Sequence, residues 1–279
     1  MQRLPEYLKR PIIDTDKTKN VRKILKTQCL NTVCENARCP NKNECYTKNT
    51  ATFLIMGNFC TRNCKYCNIT CSRPEPLDFD EPKRIAEAVK SLDLKYSVIT
   101  SVTRDDIVDG GAQHFADCIY EIRKISPNTK IEILTPDFKG NKYSLDKIIK
   151  SKPDVFNHNI ETVREVFKIA RPQGDYDCSL GVLKYIKENS NILTKSGLMI
   201  GLGETFEQIE ETLCDLKSVG CDILTIGQYI QPSKNHLEVV KYYTLDEYDE
   251  LKKLAVRIGF KKYQIGPLVR SSYRAMDIC

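Results

Sequence analysis

Three cysteines on one short stretch, Cys60, Cys64 and Cys67, carry the clearest chemical signal in the chain. They lie in Met56-Gly57-Asn58-Phe59-Cys60-Thr61-Arg62-Asn63-Cys64-Lys65-Tyr66-Cys67, a C-x3-C-x2-C spacing. Three thiolates on one loop can bind three irons of a [4Fe–4S] cluster and leave the fourth iron without a protein ligand. An open coordination position is what a catalytic metal site needs. Zinc is the competing occupant, but it usually takes four ligands, and no fourth stands at zinc-ribbon spacing; Cys71 is the nearest candidate. A second set lies upstream, Cys34-x4-Cys39-x5-Cys45. It too offers three thiols, and Cys29 could complete a structural zinc site there. Only residues 46–59 separate the two sets, so two clusters would face one cavity.

The rest of the composition narrows the classes. The chain has 279 residues, 13 of them cysteine, and eight of those lie between Cys29 and Cys71. An odd number cannot pair fully within one chain, and metal binding suits a reducing compartment better than disulfides do. Length alone allows two domains, although an α/β barrel of this size is commonly one. Lys and Arg number 43 against 37 Asp and Glu, a net +6 without an arginine-rich block. Such a mild excess does not single out nucleic acid. No run of 18 apolar residues is present, and Met1 to Arg10 is polar. A cytoplasmic protein without a signal peptide or a membrane span is therefore expected.

These thiols need a scaffold. After residue 50, short β-branched runs alternate with amphipathic helical patterns. Expected strands are Thr52–Gly57, Tyr96–Ser101, Lys130–Thr135, Val155–Ile160, Thr194–Leu202 and Asp222–Tyr229. Expected helices are Glu81–Leu92, Ala112–Ile125, Leu145–Lys150, Thr162–Ala170, Tyr176–Asn189, Thr205–Val219 and Tyr243–Ile258. Six β-then-α units predict an α/β fold with a parallel sheet and right-handed crossovers. Six strands are too few for a closed eight-stranded barrel and suit a three-quarter (β/α)6 barrel, open on one side. Chemistry in such folds sits at the C-terminal strand ends. The first triad follows the first of these strands.

Other strand ends carry polar candidates. After the fourth strand, Asn159 and Glu161 alternate with His158 and are expected on one strand face. Glu161 can hold hydroxyls or an ammonium group, and Arg171 can meet a carboxylate. The turn Gly201-Leu202-Gly203-Glu204 lacks the position of a dinucleotide fingerprint and suits close backbone approach to a ligand. Of the three histidines, His114 and His236 read as structural or exposed, and His158 as a possible cavity residue.

The first triad, the aromatic Tyr66 beside it and its place after the first strand resemble the radical S-adenosylmethionine superfamily. The resemblance sharpens with the far end, Arg270-Ser271-Ser272-Tyr273-Arg274-Ala275. Both triads together with this R-S-S-Y tail resemble the lipoyl synthase family, from about Cys34 to Ala275. Asn31-Thr32-Val33-Cys34-Glu35, Thr103-Arg104-Asp105-Asp106, Asp109-Gly110-Gly111-Ala112 and Gly227-Gln228-Tyr229-Ile230-Gln231-Pro232-Ser233 belong to the same pattern.

The resemblance implies two [4Fe–4S] clusters. One is held by Cys60, Cys64 and Cys67 with S-adenosylmethionine on its open iron. The auxiliary one is held by Cys34, Cys39 and Cys45 with a serine of the tail, Ser272 by position and Ser271 its close rival; Arg270 belongs to the same motif. Tyr66, Asn159, Glu161 and Arg171 are the expected S-adenosylmethionine contacts. The implied reaction inserts two sulfur atoms, at C6 and C8, into an octanoyl chain on a carrier-domain lysine. Implied partners are octanoylated carrier domains (glycine cleavage H protein and 2-oxoacid dehydrogenase acyltransferase subunits), a ferredoxin or flavodoxin, and an iron–sulfur carrier protein. No nucleic acid or membrane partner is expected. By role the chain divides into 1–50, carrying the auxiliary triad, 51–240, the partial barrel, and 241–279, the last helix and tail. Biotin synthase-like and methylthiotransferase-like enzymes are the alternatives, and the tail argues against both. A zinc-binding, nucleic-acid-binding protein is the non-enzyme alternative.

Overall fold

The computed structural model describes residues 3–11 and 13–279. The first two residues of the polar stretch Met1 to Arg10 therefore lie outside the described residues. The chain divides into two compact units, one comprising Arg10–Arg62 and Asn68–Phe156, the other centred on Asn157–Cys279 and including Asn63–Cys67.

The N-terminal unit opens with α1 (Asp16–Thr27), capped by the Thr15 hydroxyl on the Thr18 N–H. Then come β1 (Asn31–Thr32), α2 (Val33–Asn36), α3 (Lys42–Thr47) and β2 (Thr52–Ile55). A two-stranded parallel ladder joins β3 (Phe59–Cys60) to β4 (Thr70–Cys71). The alternation continues through α4 (Glu81–Ser91), β5 (Tyr96–Ser101), α5 (Ala112–Ile125), β6 (Lys130–Leu134), α6 (Lys142–Ser151) and β7 (Val155–Asn157). Strands β2, β5 and β6 run parallel, with Phe53 opposite Ile99 and Ile99 opposite Ile133. β1 is antiparallel to β2 at the edge. Phe53, Ile99, Ile131 and Ile133 are wholly buried, as expected of strands covered on both faces.

The C-terminal unit holds α7 (Arg164–Ala170), α8 (Tyr176–Asn189), β8 (Leu193–Ile200), α9 (Phe206–Ser218), β9 (Ile223–Gln228), α10 (Leu245–Ile258) and β10 (Lys262–Ile265). Its strands β8, β9 and β10 are parallel. Capping boxes start α9 at Thr205 and α10 at Thr244, and Gly259 at φ 101° ends α10.

All six expected strands are present, and four expected helices lie within one residue of the bounds read from the sequence: α4, α5, α8 and α9. Other bounds shift by up to two residues, as α7 starting at Arg164 and α10 at Leu245, and two expectations need a larger correction. α6 begins at Lys142, where Asn141 caps the Tyr143 N–H, and not at Leu145. The fourth strand stops at Asn157, so Asn159 and Glu161 share no strand face. Glu161 has φ 74° and joins Leu198 only through an isolated bridge. β1, β10 and α1 carry too few apolar positions for periodicity to reveal them.

Candidate active site

The first triad begins in the N-terminal unit. β2 ends at Ile55, and the chain turns through Met56 (φ 65°) and Gly57 (φ 93°). This turn is held from several sides. Glu81 accepts the Met56 N–H at 2.9 Å and meets His114 Nε2 at 2.7 Å. Gly111, at φ 88°, lies so close that a Cβ there would stand 2.2 Å from Met56 Sδ. The Asp109-Gly110-Gly111 motif thus admits the side chain that precedes the cysteine loop.

The loop itself is fastened to residues 103–106. Thr103 N–H and Arg62 N–H both point at Cys60 Sγ, at 3.3 and 3.4 Å. Thr61 gives its N–H and hydroxyl to Thr103 O and accepts the Asp105 N–H. Arg62 is 4% exposed. Its guanidinium forks onto two carboxylates, Asp105 at 2.7 and 2.9 Å and Asp137 at 2.6 and 2.7 Å. Asp105 and Asp137 raise the Arg62 pKa further, outweighing the opposing effect of burial, so the charge is permanent.

Cys64, Tyr66 and Cys67 belong to the C-terminal unit. There Lys65 N–H donates to Ala170 O at 2.8 Å, and Leu237 N–H to Lys65 O at 3.0 Å. His236 spans Ser233 Oγ (2.8 Å) and Cys67 O (2.9 Å). It is structural, and Ser233 of the 227–233 motif holds it.

A cleft of about 340 Å³, open mouth included, is lined by Asn159, Glu161, Gly197, Leu198, Met199, Thr225, Gly227, Val269, Arg270 and Ser271. The backbone of Glu161 is pinned, its N–H on Gly197 O (3.0 Å) and its carbonyl on Met199 N–H (2.8 Å). Burial raises its carboxyl pKa, while Arg171, Asn159 and Tyr66 pull it back toward the charged form. Burial, then Glu161 and Cys64, push the Tyr66 phenol well up, so it stays protonated. Arg171 Nη1 reaches Asn159 O at 3.3 Å, and its guanidinium stacks 5.1 Å from the Phe167 ring. Tyr66, Asn159, Glu161 and Arg171 are therefore one neighbourhood. His158 is buried in the same segment, with its N–H on Lys195 O.

The tail borders this cleft. Gly266 N–H donates to Ile226 O, and Gln228 N–H to Pro267 O at 3.3 Å. A Cβ at Gly227 would stand 2.0 Å from Val269 O. Only glycine permits that approach. Ser271 Oγ accepts from Asn159 Nδ2 at 3.2 Å, and Ser272 is half-buried beside it.

The auxiliary triad sits on two short helices of the N-terminal unit and the turn between them. Cys34 opens α2, whose cap is the Thr32 hydroxyl on the Glu35 N–H at 3.2 Å. Cys39 N–H turns back to Cys34 O at 3.1 Å, and Cys45 lies in α3 with its N–H on Asn41 O at 2.9 Å. Burial, with Cys39 adding repulsion, pushes the Cys34 thiol up to about 12 and that of Cys45 to about 11. The three thiols are thus electrostatic neighbours. Among the described residues no three Cys, His, Asp or Glu side chains converge on a single metal ion; a cluster takes its thiolates one per iron.

The residues present fit the cofactors that the motifs suggest. Both triads offer the soft thiolates that iron–sulfur clusters take. In the cleft, Asn159 Oδ1 is buried without a hydrogen-bond partner. Gly197 provides clearance there, since a Cβ would stand 3.1 Å from that oxygen and 2.3 Å from Thr225 Oγ1. An amide oxygen and a carboxylate on one glycine-floored cleft, with the Arg171 guanidinium on the Asn159 carbonyl beside them, can meet an amino acid's charged end and a ribose.

Sequence reasoning passed over Arg62, Asp137, Thr225 and Gly197. Asp137 stands just past a strand end, the place that fold logic singles out. Arg62 lies inside the triad loop, but its role depends on partners 43 and 75 residues away.

A parallel α/β fold with a C-x3-C-x2-C loop and a polar cleft defines a radical S-adenosylmethionine enzyme. Residues 54–216 match the Radical SAM superfamily. Among solved structures the chain resembles methylornithine synthase, with TM-score 0.59 at 13% identity over 86% of this chain and 73% of that one. It also resembles coproporphyrinogen III oxidase from Escherichia coli, with TM-score 0.55 at 15% identity over 74% and 52%. These likenesses concern the fold. A lipoyl synthase of Caldanaerobacter subterraneus subsp. tengcongensis is 49% identical over 98% of this chain and 96% of its own length. One from Caldicellulosiruptor bescii is 52% identical over 97% and 94%. The chain belongs to the lipoyl synthase family. Membership brings a [4Fe–4S] cluster and S-adenosylmethionine as cofactors.

Proposed function

We propose that the chain inserts sulfur at C6 and C8 of an octanoyl group carried on a lysine of a carrier domain, forming the lipoyl group. The observation that carries this reading is that one cleft is bordered both by Asn159 and Glu161 and by the tail residues Arg270 and Ser271.

Cys60, Cys64 and Cys67 hold the catalytic cluster. With S-adenosylmethionine bound, that cluster supplies the 5′-deoxyadenosyl radical that removes hydrogen from unactivated carbon, once per carbon. Glu161 and Asn159 orient the ligand from the cleft wall. Arg171 balances the charge of Glu161, and the protonated Tyr66 donates to it. Cys34, Cys39, Cys45 and one tail serine, Ser272 or its neighbour Ser271, hold an auxiliary cluster that supplies the sulfur. A serine oxygen is a harder match for iron than thiolate and the ligand most easily given up. Arg270 belongs with that serine.

The scaffold is read as a three-quarter (β/α)6 barrel, supported by six consecutive β-then-α units. By role, residues 1–50 carry the auxiliary triad, 51–240 the barrel, and 241–279 the closing helix and tail. Partners are octanoylated carrier domains, such as a glycine cleavage H protein or an acyltransferase subunit of a 2-oxoacid dehydrogenase. A ferredoxin or flavodoxin supplies electrons, and an iron–sulfur carrier rebuilds the auxiliary cluster. Thirteen free thiols suit a reducing cytoplasm. No described helix is long and apolar enough to cross a membrane.

The test is anaerobic purification followed by assay on an octanoyl-lysine peptide. Brown protein with about eight irons and lipoyl product supports the reading. Colourless, zinc-loaded protein without product sinks it.

A further inference from the structure

The segment Thr103-Arg104-Asp105-Asp106 and the buried Arg62 have no part in the reaction as described so far. Yet they form a dense polar cluster in the N-terminal unit. Arg62 lies between the first two cysteines of the catalytic triad. It makes four bonds of 2.6 to 2.9 Å to two carboxylates, one at each of two successive strand ends. Lys139 stands 3.7 Å from Asp105, so two cations face two anions. The consequence falls on Cys60, whose sulfur receives two backbone N–H groups, one from Arg62 itself and one from Thr103.

We propose that Arg62 is the positioning residue of the catalytic cluster: its fork onto Asp105 and Asp137 holds Cys60 under two N–H donors and thereby sets the cluster's retention and reduction potential. The inference rests on the assignment of Cys60, Cys64 and Cys67 to that cluster. N–H groups aimed at a cluster thiolate favour the more negative, reduced state and raise its potential. A fixed guanidinium acts in the same direction. A fork that engages two carboxylates is specific to arginine, because lysine presents only a point charge. Removing the guanidinium leaves the buried Asp137 and the half-buried Asp105 with Lys139 as the remaining cation beside them, an unfavourable change, and frees residues 60–62 from the strand ends. Arg104 does not duplicate this role. Its guanidinium engages Asp106 and Met56 O and fixes the turn before the loop.

The test uses the full chain with Cys34, Cys39 and Cys45 changed to Ala, so that one cluster remains. If this parent already holds no iron, the assignment of the catalytic triad fails, whatever Arg62 does. In a parent that holds about four irons, Arg62→Gln and Arg62→Lys are compared by chelator-driven iron loss and by a potentiometric titration followed by electron paramagnetic resonance. Arg62→Gln should lose iron about ten-fold or more faster, the order found for partners that orient metal ligands. Its midpoint should move to more negative potential. Arg62→Lys, which keeps the charge, should fall between Gln and the parent in both measurements. Unchanged potential and iron loss in a folded Arg62→Gln protein would overturn the proposal. So would an Arg62→Gln chain that unfolds outright while Arg62→Lys matches its parent in both measurements, since the role would then be structural only.

Discussion

The two cysteine triads use the same ligand chemistry on opposite kinds of support. Cys34 rides on α2, Cys45 on α3 and Cys39 on the turn between them, and the backbone bonds that place them span at most five residues. The catalytic loop has no such frame. Cys60 and Arg62 are held by Thr103, Asp105 and Asp137, from 43 to 75 residues away. Local bonds set the auxiliary segment, and burial holds the Cys34 and Cys45 thiols protonated until iron displaces the protons. Distant support means that the catalytic loop takes its shape only when the strands have docked. The contrast suits the proposed division between an auxiliary cluster that gives up sulfur and a catalytic one that persists.

The largest effect expected is the separation of the triads. Changing Cys60, Cys64 and Cys67 to Ala should abolish 5′-deoxyadenosine formation. Changing Cys34, Cys39 and Cys45 should abolish lipoyl product while 5′-deoxyadenosine still forms, and loss of both products from the second variant would collapse the distinction. The tail sharpens it next. Ala and Cys variants of Ser272 and of Ser271 should lose lipoyl product more than hydrogen abstraction, measured side by side. Wild-type product from all four variants would remove serine from the auxiliary site.

Third comes the cleft. Glu161→Gln should weaken S-adenosylmethionine binding about ten-fold, the order of one charge-assisted hydrogen bond. Titration of ligand into each protein measures this, and both iron contents should be unchanged. Gly227→Ala places a Cβ against Val269 O. We expect a stability loss of about 1–3 kcal/mol from the forced shift, visible in denaturant melts, and faster proteolysis of the tail.

The smallest effect concerns the strand-end scaffold near the catalytic loop. Burial would raise the Asp109 carboxyl, but Lys147 at 2.8 Å and the N–H groups of Gln113 and Gly111 outweigh it and hold it low. A carboxyl depressed on folding contributes stability that is complete above its ordinary range near pH 4 and is lost as pH falls through the folded value. The stability gap between wild type and Asp109→Asn should therefore be constant from neutral pH to about pH 5 and narrow progressively below about pH 4. A gap that did not begin to narrow as pH fell below about 4 would contradict the assignment.

Much of this molecule was legible without coordinates. Cysteine spacing alone selects a cluster with an open iron, because ligand number and softness are properties of residue type. The six strands and the helices between them follow from β-branched runs and a 3.6-residue period, both local signals. Glu161 was found from its place after a strand, although its backbone has φ 74° and lies beyond the strand's last residue. That is a tertiary override of a period-two pattern, stabilised by Gly197 O and Met199 N–H.

What only the tertiary structure decided is which polar residues face one another. Nothing local links Arg62 to Asp137, Asn159 to Ser271, or Gly227 to Val269 O. Each pair is far apart in the chain, and each forms because parallel strands bring their C-terminal ends to one side. The sequence by itself determined the chemistry available, since thiolates, carboxylates and guanidinium groups keep their character anywhere. Folding decided the addresses, because a hydrogen bond depends on separation in space and carries no record of separation along the chain.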